Sequence, residues 1–226
     1  MRFRIDLKIF LFVILFYFTK QIEVYSMLMF FAIIHEIGHL LAGLLLGMKP
    51  EKMEIMPYGV SISFKLVPKD YNRKIKRGNQ LEFKKIVVAL AGPITNIIIM
   101  IIVLQMNLNV VLSLTILYSN ILLILFNLLP IYPLDGGRVI KGILHIYLGK
   151  VKSEKFTNHI SFVTLLILTF ISSIVIYLAE NIAIFLMIIV LWGIFIREDR
   201  IYAKKSKIYK LLEDLQKNQN LNEEKY

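Results

Sequence analysis

The chain has 226 residues, 57% of them hydrophobic, and a mean hydropathy of +0.67. The apolar residues form long runs, not the alternating patches of a soluble core, so an ordinary soluble domain is excluded. There is no cysteine, which excludes both a disulfide framework and a cysteine-ligated metal site. The formal net charge is +11. Where these charges lie decides whether they serve a nucleic acid or a membrane.

The fold is predicted mainly from apolar runs that are long enough to span a membrane. A helix of about 20 residues crosses a hydrocarbon core of about 30 Å. Four runs have this length: Val24–Gly47, Ile86–Met106, Val110–Leu129 and Ile160–Ala179. Two weaker runs, Ile5–Thr19 and Ile182–Ile196, bring the expected number to about six. The first run could start a signal peptide, but no small-residue cleavage pattern follows it, so we favour a retained span. The predicted fold class is an all-α polytopic membrane protein.

The basic residues are distributed very unevenly between the segments that join the six predicted spans. One side of the membrane receives 26 of the 27 Lys and Arg residues, and the other side receives only Lys20. This positive-inside asymmetry predicts a multi-pass protein of the cell membrane with both termini in the cytoplasm. The positive charge is therefore assigned to topology and to contact with the lipid bilayer, and no nucleic acid is expected as a partner.

The cytoplasmic segment between the second and third spans carries a strand pattern. Apolar and polar residues alternate over Val60–Leu66, and the turn residues Pro57–Gly59 precede them. Met53–Met56 could form a short preceding strand, so the segment predicts a membrane-proximal β-hairpin. Residues 69–85 are basic and polar and are expected to form a mobile connector.

The C-terminal residues differ from the rest of the chain. Apolar residues in 197–226 are spaced mostly three, four or seven apart, which predicts an amphipathic helix. We therefore divide the chain into a transmembrane domain over residues 1–196 and a cytoplasmic amphipathic tail over residues 197–226.

The second span contains two histidines and a glutamate within five residues. His35 and His39 are four residues apart and project from nearly one face of a helix, so both can reach one metal ion. Glu36 lies about 100° round the helix, where it can face a metal-bound water as a general base. An isolated buried histidine is usually an ordinary core residue. Three ionisable groups at the centre of a span are costly, however, and this favours a metal site.

A catalytic zinc site generally uses three protein ligands and one open position. Asp135 is the best candidate for the third ligand, because Pro130 and Pro133 precede it and Gly136 and Gly137 follow it, after a membrane span. Irregular backbone at membrane depth survives only when it is buried in protein or lines a watery cavity. By itself this segment would be read as an ordinary turn at a helix end. Together with an incomplete zinc site, it is read as a ligand segment.

With these two motifs, the chain resembles the site-2 protease family of intramembrane zinc metalloproteases. The resemblance rests on His35-Glu36-Ile-Gly-His39 in one span and on Leu134-Asp135-Gly136 after a later span. It implies one Zn²⁺ per chain held by His35, His39 and Asp135, with Glu36 as the catalytic base. It also implies that Asn127 helps to position the substrate.

Within that family the chain looks most like the branch that includes the stage IV sporulation protein FB. This likeness implies that a membrane-associated pro-sigma factor is the substrate, that an inhibitory membrane protein is a partner, and that the membrane around a forespore is the location. We expect neither the nucleotide-sensing domain nor the PDZ domain that other members carry.

Two questions stay open at the level of sequence. The strand that contains Val60 and Ile62 offers an edge to which an extended substrate could add, but a hairpin that merely plugs the cavity fits equally well. A metal ion permease, or a relative that binds membrane partners without cleaving them, is the alternative to a protease. The adjacent base Glu36 and the lack of internal repeats favour the protease.

Overall fold

The computed structural model describes residues 2–5, 10, 13–14, 17–18, 22–56, 59–65, 75–106, 109–179 and 183–223. In chain order the elements are β1 Arg2–Ile5, α1 Ile22–Leu45, β2 Lys49–Met56, β3 Gly59–Lys65, α2 Ile75–Gln105, α3 Val110–Asn127, α4 Asp135–Leu148, α5 Lys150–Ala179 and α6 Ala183–Glu223. They form two compact units, Met1–Leu129 and Pro130–Tyr226.

Among the described residues, four helices are long and apolar enough to cross a membrane. The spans are Tyr25–Leu45 in α1, Asn79–Gln105 in α2, Val110–Asn127 in α3 and Lys150–Val175 in α5. They coincide with the four strong runs in the sequence, so the protein is a mostly helical, multi-pass membrane protein. The predicted span Ile5–Thr19 lies largely outside the described residues. The described part of the predicted span Ile182–Ile196, residues 183–196, forms the start of α6 and is not one of these four, so the count of six stays a prediction.

Two of the helices begin well before the apolar runs that predicted them. The second half of the expected connector, from Ile75 onward, is helical and belongs to α2. Polar contacts support this extension: Lys85 pairs with Glu82 at 2.7 Å, and Lys84 Nζ donates to the carbonyl of Leu46 at 2.9 Å. Likewise α5 begins at Lys150, ten residues before its predicted start. Hydropathy alone locates the apolar part of a helix and leaves out its polar end.

The predicted β-hairpin is confirmed, and it belongs to a sheet of three strands. Strands β2 and β3 pair antiparallel, with Met53 opposite Ile62 and Ile55 opposite Val60. Strand β1 pairs parallel with β2 on the other side, giving the order β1-β2-β3. Strand β1 was not predicted, because the sequence around Ile5 was read as the start of a membrane span. Strand β3 is therefore an edge strand of this sheet.

Glycines allow close packing within the first unit. Helix α1 packs against α2 and α3, and β3 lies against α1. A side chain at Gly38 would overlap Thr95, and a side chain at Gly43 would overlap the ring of Phe64 in β3. Gly38 therefore allows α2 to pack closely on α1, and Gly43 allows β3 to do so.

The second unit consists of α4, α5 and α6, with α5 packed against both of the others. An aromatic cluster of Phe162, Trp192 and Phe195 joins α5 to α6, with ring centroids about 6 Å apart. Helix α6 continues without a break from the predicted weak span into the tail, which is helical as far as Glu223. The domain boundary between residues 196 and 197 stays a prediction.

The second unit also buries a charged network. The Glu154 carboxylate, 8% exposed, lies 3.8 Å from Lys141 Nζ and 3.6 Å from Lys205 Nζ. Lys141 Nζ lies 4.3 Å from the centre of the Tyr132 ring, and the Tyr132 backbone N–H donates to Ser161 Oγ at 3.0 Å. The network therefore links α4, α5 and α6 to the segment that precedes Asp135.

Candidate metal centre

Helix α1 buries the three ionisable residues of the sequence motif inside a membrane span. His35, Glu36 and His39 are 4%, 6% and 3% exposed. The two imidazoles stack edge to face, with ring centroids 4.8 Å apart, and their Nε2 atoms are 3.2 Å apart. Side chains four residues apart meet on one face of a helix, and here both rings present the same nitrogen to the same place.

Helix α2 fixes the orientation and tautomer of His39. Its Nδ1 lies 2.6 Å from the backbone carbonyl of Val88. A carbonyl oxygen only accepts, so Nδ1 carries the proton and donates, and this leaves the Nε2 lone pair to bind a metal. The Gly92 N–H lies farther from Nδ1, at 3.3 Å. Metal-binding histidines are generally held in this way, through a hydrogen bond on the nitrogen that is not a ligand.

The spacing of the two Nε2 atoms suits zinc. With Zn–N bonds of about 2.0–2.1 Å and tetrahedral angles, two histidine ligands place their nitrogens about 3.4 Å apart. The observed separation is 3.2 Å. Two neutral imidazoles and further nitrogen or oxygen ligands also match the chemistry that zinc prefers.

Gly92 leaves open the space in front of the two Nε2 atoms. A Cβ atom built on Gly92 would lie 2.5 Å from Nε2 of both His35 and His39. Any other residue at this position would therefore press on these two nitrogen atoms. The sequence analysis did not find this role. The signal that could have revealed it is the occurrence of small residues in both helices, Gly38 in α1 and Gly92 in α2, which marks close helix packing in membranes.

Strand β3 approaches α1 at Glu36. The Glu36 Oε1 atom accepts a hydrogen bond from the backbone N–H of Ile62, and the Ile62 side chain is 6% exposed. The first unit thus brings together His35, His39, Glu36 and Ile62. Val60 lies two residues earlier in the same strand.

Asp135 is the first residue of α4, in the second unit. It is 4% exposed, and Arg138 Nη1 lies 3.6 Å from Oδ1. A carboxylate at a helix N-terminus is stabilised by the unpaired N–H groups and the helix dipole. The glycines after it are helical, so they do not provide the unusual backbone path that the sequence suggested. A side chain at Gly137 would overlap the backbone of Ile131 and Tyr132, so glycine there allows the preceding loop to pack on α4.

Asn127 is the last residue of α3, in the first unit. Its Nδ2 donates to the carbonyl of Leu123, one turn earlier, at 3.0 Å. Its amide therefore bonds back to its own helix, and Leu128 is the residue that caps it.

Two similar proteins come from Methanocaldococcus jannaschii. The zinc metalloprotease MJ0392 is 31% identical over 135 residues, which span 57% of this chain and 36% of that protein. The match thus covers about a third of that relative. The solved structure of a site-2 protease superimposes with a TM-score of 0.62 at 23% identity, covering 88% of this chain and 91% of that one, so the two share a fold.

The sequence profile described as Peptidase family M50 matches residues 24–113 and 103–171, which together include α1, the sheet hairpin and all of α2, α3 and α4. This is more than half of the chain, and it contains both sequence motifs. The chain therefore belongs to peptidase family M50.

Proposed function

We propose that this protein is an intramembrane zinc metalloprotease, which hydrolyses a peptide bond within or next to the membrane segment of a substrate protein. The observation that carries the proposal is the pair of imidazole Nε2 atoms 3.2 Å apart, buried beside Glu36 in a membrane-spanning helix. Buried ionisable groups at membrane depth are energetically costly, so their presence indicates a function. Membership of peptidase family M50 supports the same conclusion.

The proposed zinc ligands are His35, His39 and Asp135. Each is buried and offers one ligand atom. Three protein ligands and one open position are what a catalytic zinc requires. When bound, zinc supplies Lewis-acid chemistry, polarising the scissile carbonyl and lowering the pKa of a water to about 7.

The chain's own residues supply the proton transfer. Glu36 accepts the proton of the attacking water at a carboxylate oxygen and later delivers it to the nitrogen of the leaving amine. The Val88 carbonyl holds the His39 ring in place while this occurs.

The substrate is proposed to add as an extended strand to the outer edge of β3, the edge that does not pair with β2. Support comes from the sheet order, which leaves β3 at an edge, and from the N–H of Ile62, which points away from β2 toward Glu36. Residues alternate along an antiparallel strand, so the N–H of Val60 points to the same edge. Proline at position 60 removes one such N–H. Unchanged cleavage by a folded Val60→Pro protein would favour the alternative, a hairpin that only plugs the cavity.

Asn127 is proposed to help position the substrate at the end of α3. If so, Asn127→Ala raises the KM for a substrate more than it lowers the kcat. An equal effect on both would assign Asn127 to its contact within α3 alone.

The decisive experiment compares wild type with Glu36→Gln in lipid nanodiscs, using a panel of labelled single-span proteins as substrates. Cleavage should fall about 10³-fold, in the range expected for loss of a general base, while bound zinc stays unchanged. Glu23→Gln is the matched control, because Glu23 is an exposed carboxylate in the first turn of the same helix. If Glu36→Gln cleaves as well as wild type, the mechanism is wrong. Zinc flux through liposomes would instead favour the permease.

The third ligand has its own test. Asp135→Ala should lose most of the bound zinc, whereas Asp214→Ala, which alters an exposed carboxylate of α6, should keep it. Full zinc content in Asp135→Ala would exclude Asp135 from the ligand set.

The physiological role is proposed from the likeness to the sporulation branch. In this proposal six spans place both termini in the cytoplasm, the protein lies in the membrane around a forespore, and a membrane protein inhibits it. Its substrate is a membrane-associated pro-sigma factor. Co-expression with pro-sigma precursors and with unrelated single-span proteins tests this role. Cleavage of the unrelated proteins alone would contradict it.

A further inference from the structure

The backbone amide of Ile62 has two potential acceptors during the proposed reaction. In the structure it donates to Glu36 Oε1. It also belongs to the edge of β3 that faces away from β2, because a residue of an antiparallel strand directs its N–H and its carbonyl to the same side. A substrate strand that adds to this edge needs the same N–H for its own backbone carbonyl.

This contact is enclosed on both sides. Glu36 is 6% exposed and Ile62 is 6% exposed, so water has little access to their hydrogen bond. The packing of Phe64 on Gly43 holds the next part of β3 against the same helix. A charge-assisted hydrogen bond in such surroundings is stronger than one between neutral groups in water.

We propose that the Ile62 amide positions Glu36 in the resting enzyme, and that a substrate strand docking on β3 takes this amide and thereby releases Glu36 to act on the attacking water. The inference rests on the proposed protease function and names how substrate binding controls that site. One hydrogen bond is exchanged: the Ile62 N–H leaves the carboxylate and binds the substrate carbonyl. The carboxylate oxygen then accepts from the water.

The exchange has a consequence for the substrates that the enzyme accepts. Only a chain that presents a backbone carbonyl opposite Ile62 completes the exchange. A helical membrane segment has its carbonyls engaged within the helix, so it must unwind at this point before Glu36 is released. The base is thus withheld from peptides that reach the site without an extended backbone.

The test uses inactive variants that differ in one acceptor atom. Gln and Met side chains have similar length and no branch, but only Gln can accept from the Ile62 N–H. We measure binding of a fluorescent single-span peptide to Glu36→Gln and Glu36→Met in nanodiscs. In Glu36→Gln the peptide must displace one neutral hydrogen bond, between the introduced amide oxygen and the Ile62 N–H. Glu36→Met lacks this bond, so it should bind the peptide about fivefold more tightly than Glu36→Gln. Equal affinities would overturn the proposal.

The same two variants are then compared in proteins that also carry a proline in β3. This comparison separates the effect of the Ile62 N–H from the effect of the apolar Met side chain. In Ile62→Pro the amide is absent, so the difference between Met and Gln should vanish. In Val60→Pro, which removes a different outward N–H, it should persist. A difference that persists in Ile62→Pro would show that Met attracts the peptide for another reason, and the proposal would fail.

Hydrogen exchange gives a readout that needs no substrate and no proline. The segment 59–65 should exchange faster in Glu36→Met than in Glu36→Gln, with zinc content equal in both. Equal exchange rates would overturn the proposal even if the proline variants do not fold. Failure of the protease function is distinguishable, because wild type would then cleave nothing while the Met and Gln variants still differ.

Discussion

Two buried carboxylates, Glu36 and Glu154, show how differently this protein treats the same chemical group. Both are less than a tenth exposed. Glu154 lies between Lys141 and Lys205, whose ammonium groups offset its charge at 3.8 and 3.6 Å. Glu36 instead accepts from the backbone amide of Ile62, beside two histidines. A buried carboxylate with two cations close by joins helices together. A buried carboxylate beside imidazoles and a strand edge is placed for chemistry.

The difference teaches how to separate structure from function among buried charges. In the second unit, removing the carboxylate should cost stability and leave zinc binding alone. In the first unit, changes near the carboxylate and histidines should cost zinc or activity first. Variants that keep their fold and lose zinc, or the reverse, put this comparison to the test.

Among changes that keep Glu36 and the proposed zinc ligands in place, the largest effect is expected from Gly92→Ala. The new Cβ would lie 2.5 Å from Nε2 of His35 and His39, so the ligand nitrogens must move apart or α2 must move away. We expect zinc affinity to fall about 100-fold, the upper end of what groups around a metal site contribute. Competition with a fluorescent chelator measures it.

Gly193→Ala is the control for that change. A Cβ at Gly193 in α6 has no atom within 4 Å outside its own stretch of helix, so zinc affinity should stay the same. Unaltered affinity in Gly92→Ala would mean that the open space at Gly92 has no part in metal binding.

A smaller effect is expected from Ser161→Ala. Ser161 Oγ accepts from the Tyr132 N–H, three residues before Asp135, so its loss should loosen the segment that carries the proposed third ligand. Zinc affinity should fall about tenfold, as for other groups that orient ligands. Ser172→Ala is the matched control, since Ser172 is equally buried in α5 and donates only within its own helix. Equal zinc affinities in the two variants would show that the network does not contribute to zinc binding.

The smallest effect is expected from Glu154→Gln. Two lysines lose their anion, but Lys205 is half exposed and water can solvate it, so the expected loss of unfolding free energy is about 1 kcal/mol. Zinc content should not change. Glu54→Gln, in a partly exposed pair with Lys52, should cost under about 0.5 kcal/mol. Denaturant titration in mixed micelles measures both, and a loss of zinc in Glu154→Gln would break the comparison.

The sequence was sufficient for the four strong spans and the hairpin, because both follow from simple periodicity. A long run of apolar residues predicts a membrane span without any knowledge of what packs around it. The alternation over Val60–Leu66 predicts a strand in the same way. The positions of His35 and His39 on one helix face follow from the helical repeat alone.

Other features depend on residues far apart in the sequence, and no local pattern predicts them. The contact of Glu36 with Ile62 joins a helix to a strand 26 residues away. Gly92 matters because α2 crosses α1 at the histidines. The network around Glu154 needs three helices to be in place, and the early starts of α2 and α5 depend on polar contacts that hydropathy does not register.

Helix α6 has a mechanical consequence. It runs unbroken over Ala183–Glu223, and its inner part is anchored by Leu191 and Phe195 in the core of the second unit. The part after Ile196 extends about 40 Å at 1.5 Å per residue. Within this part, Lys205 lies 3.6 Å from Glu154 and so joins α6 to α5. A displacement of α6 at this point would therefore reach α5, the helix whose Ser161 accepts from the Tyr132 N–H.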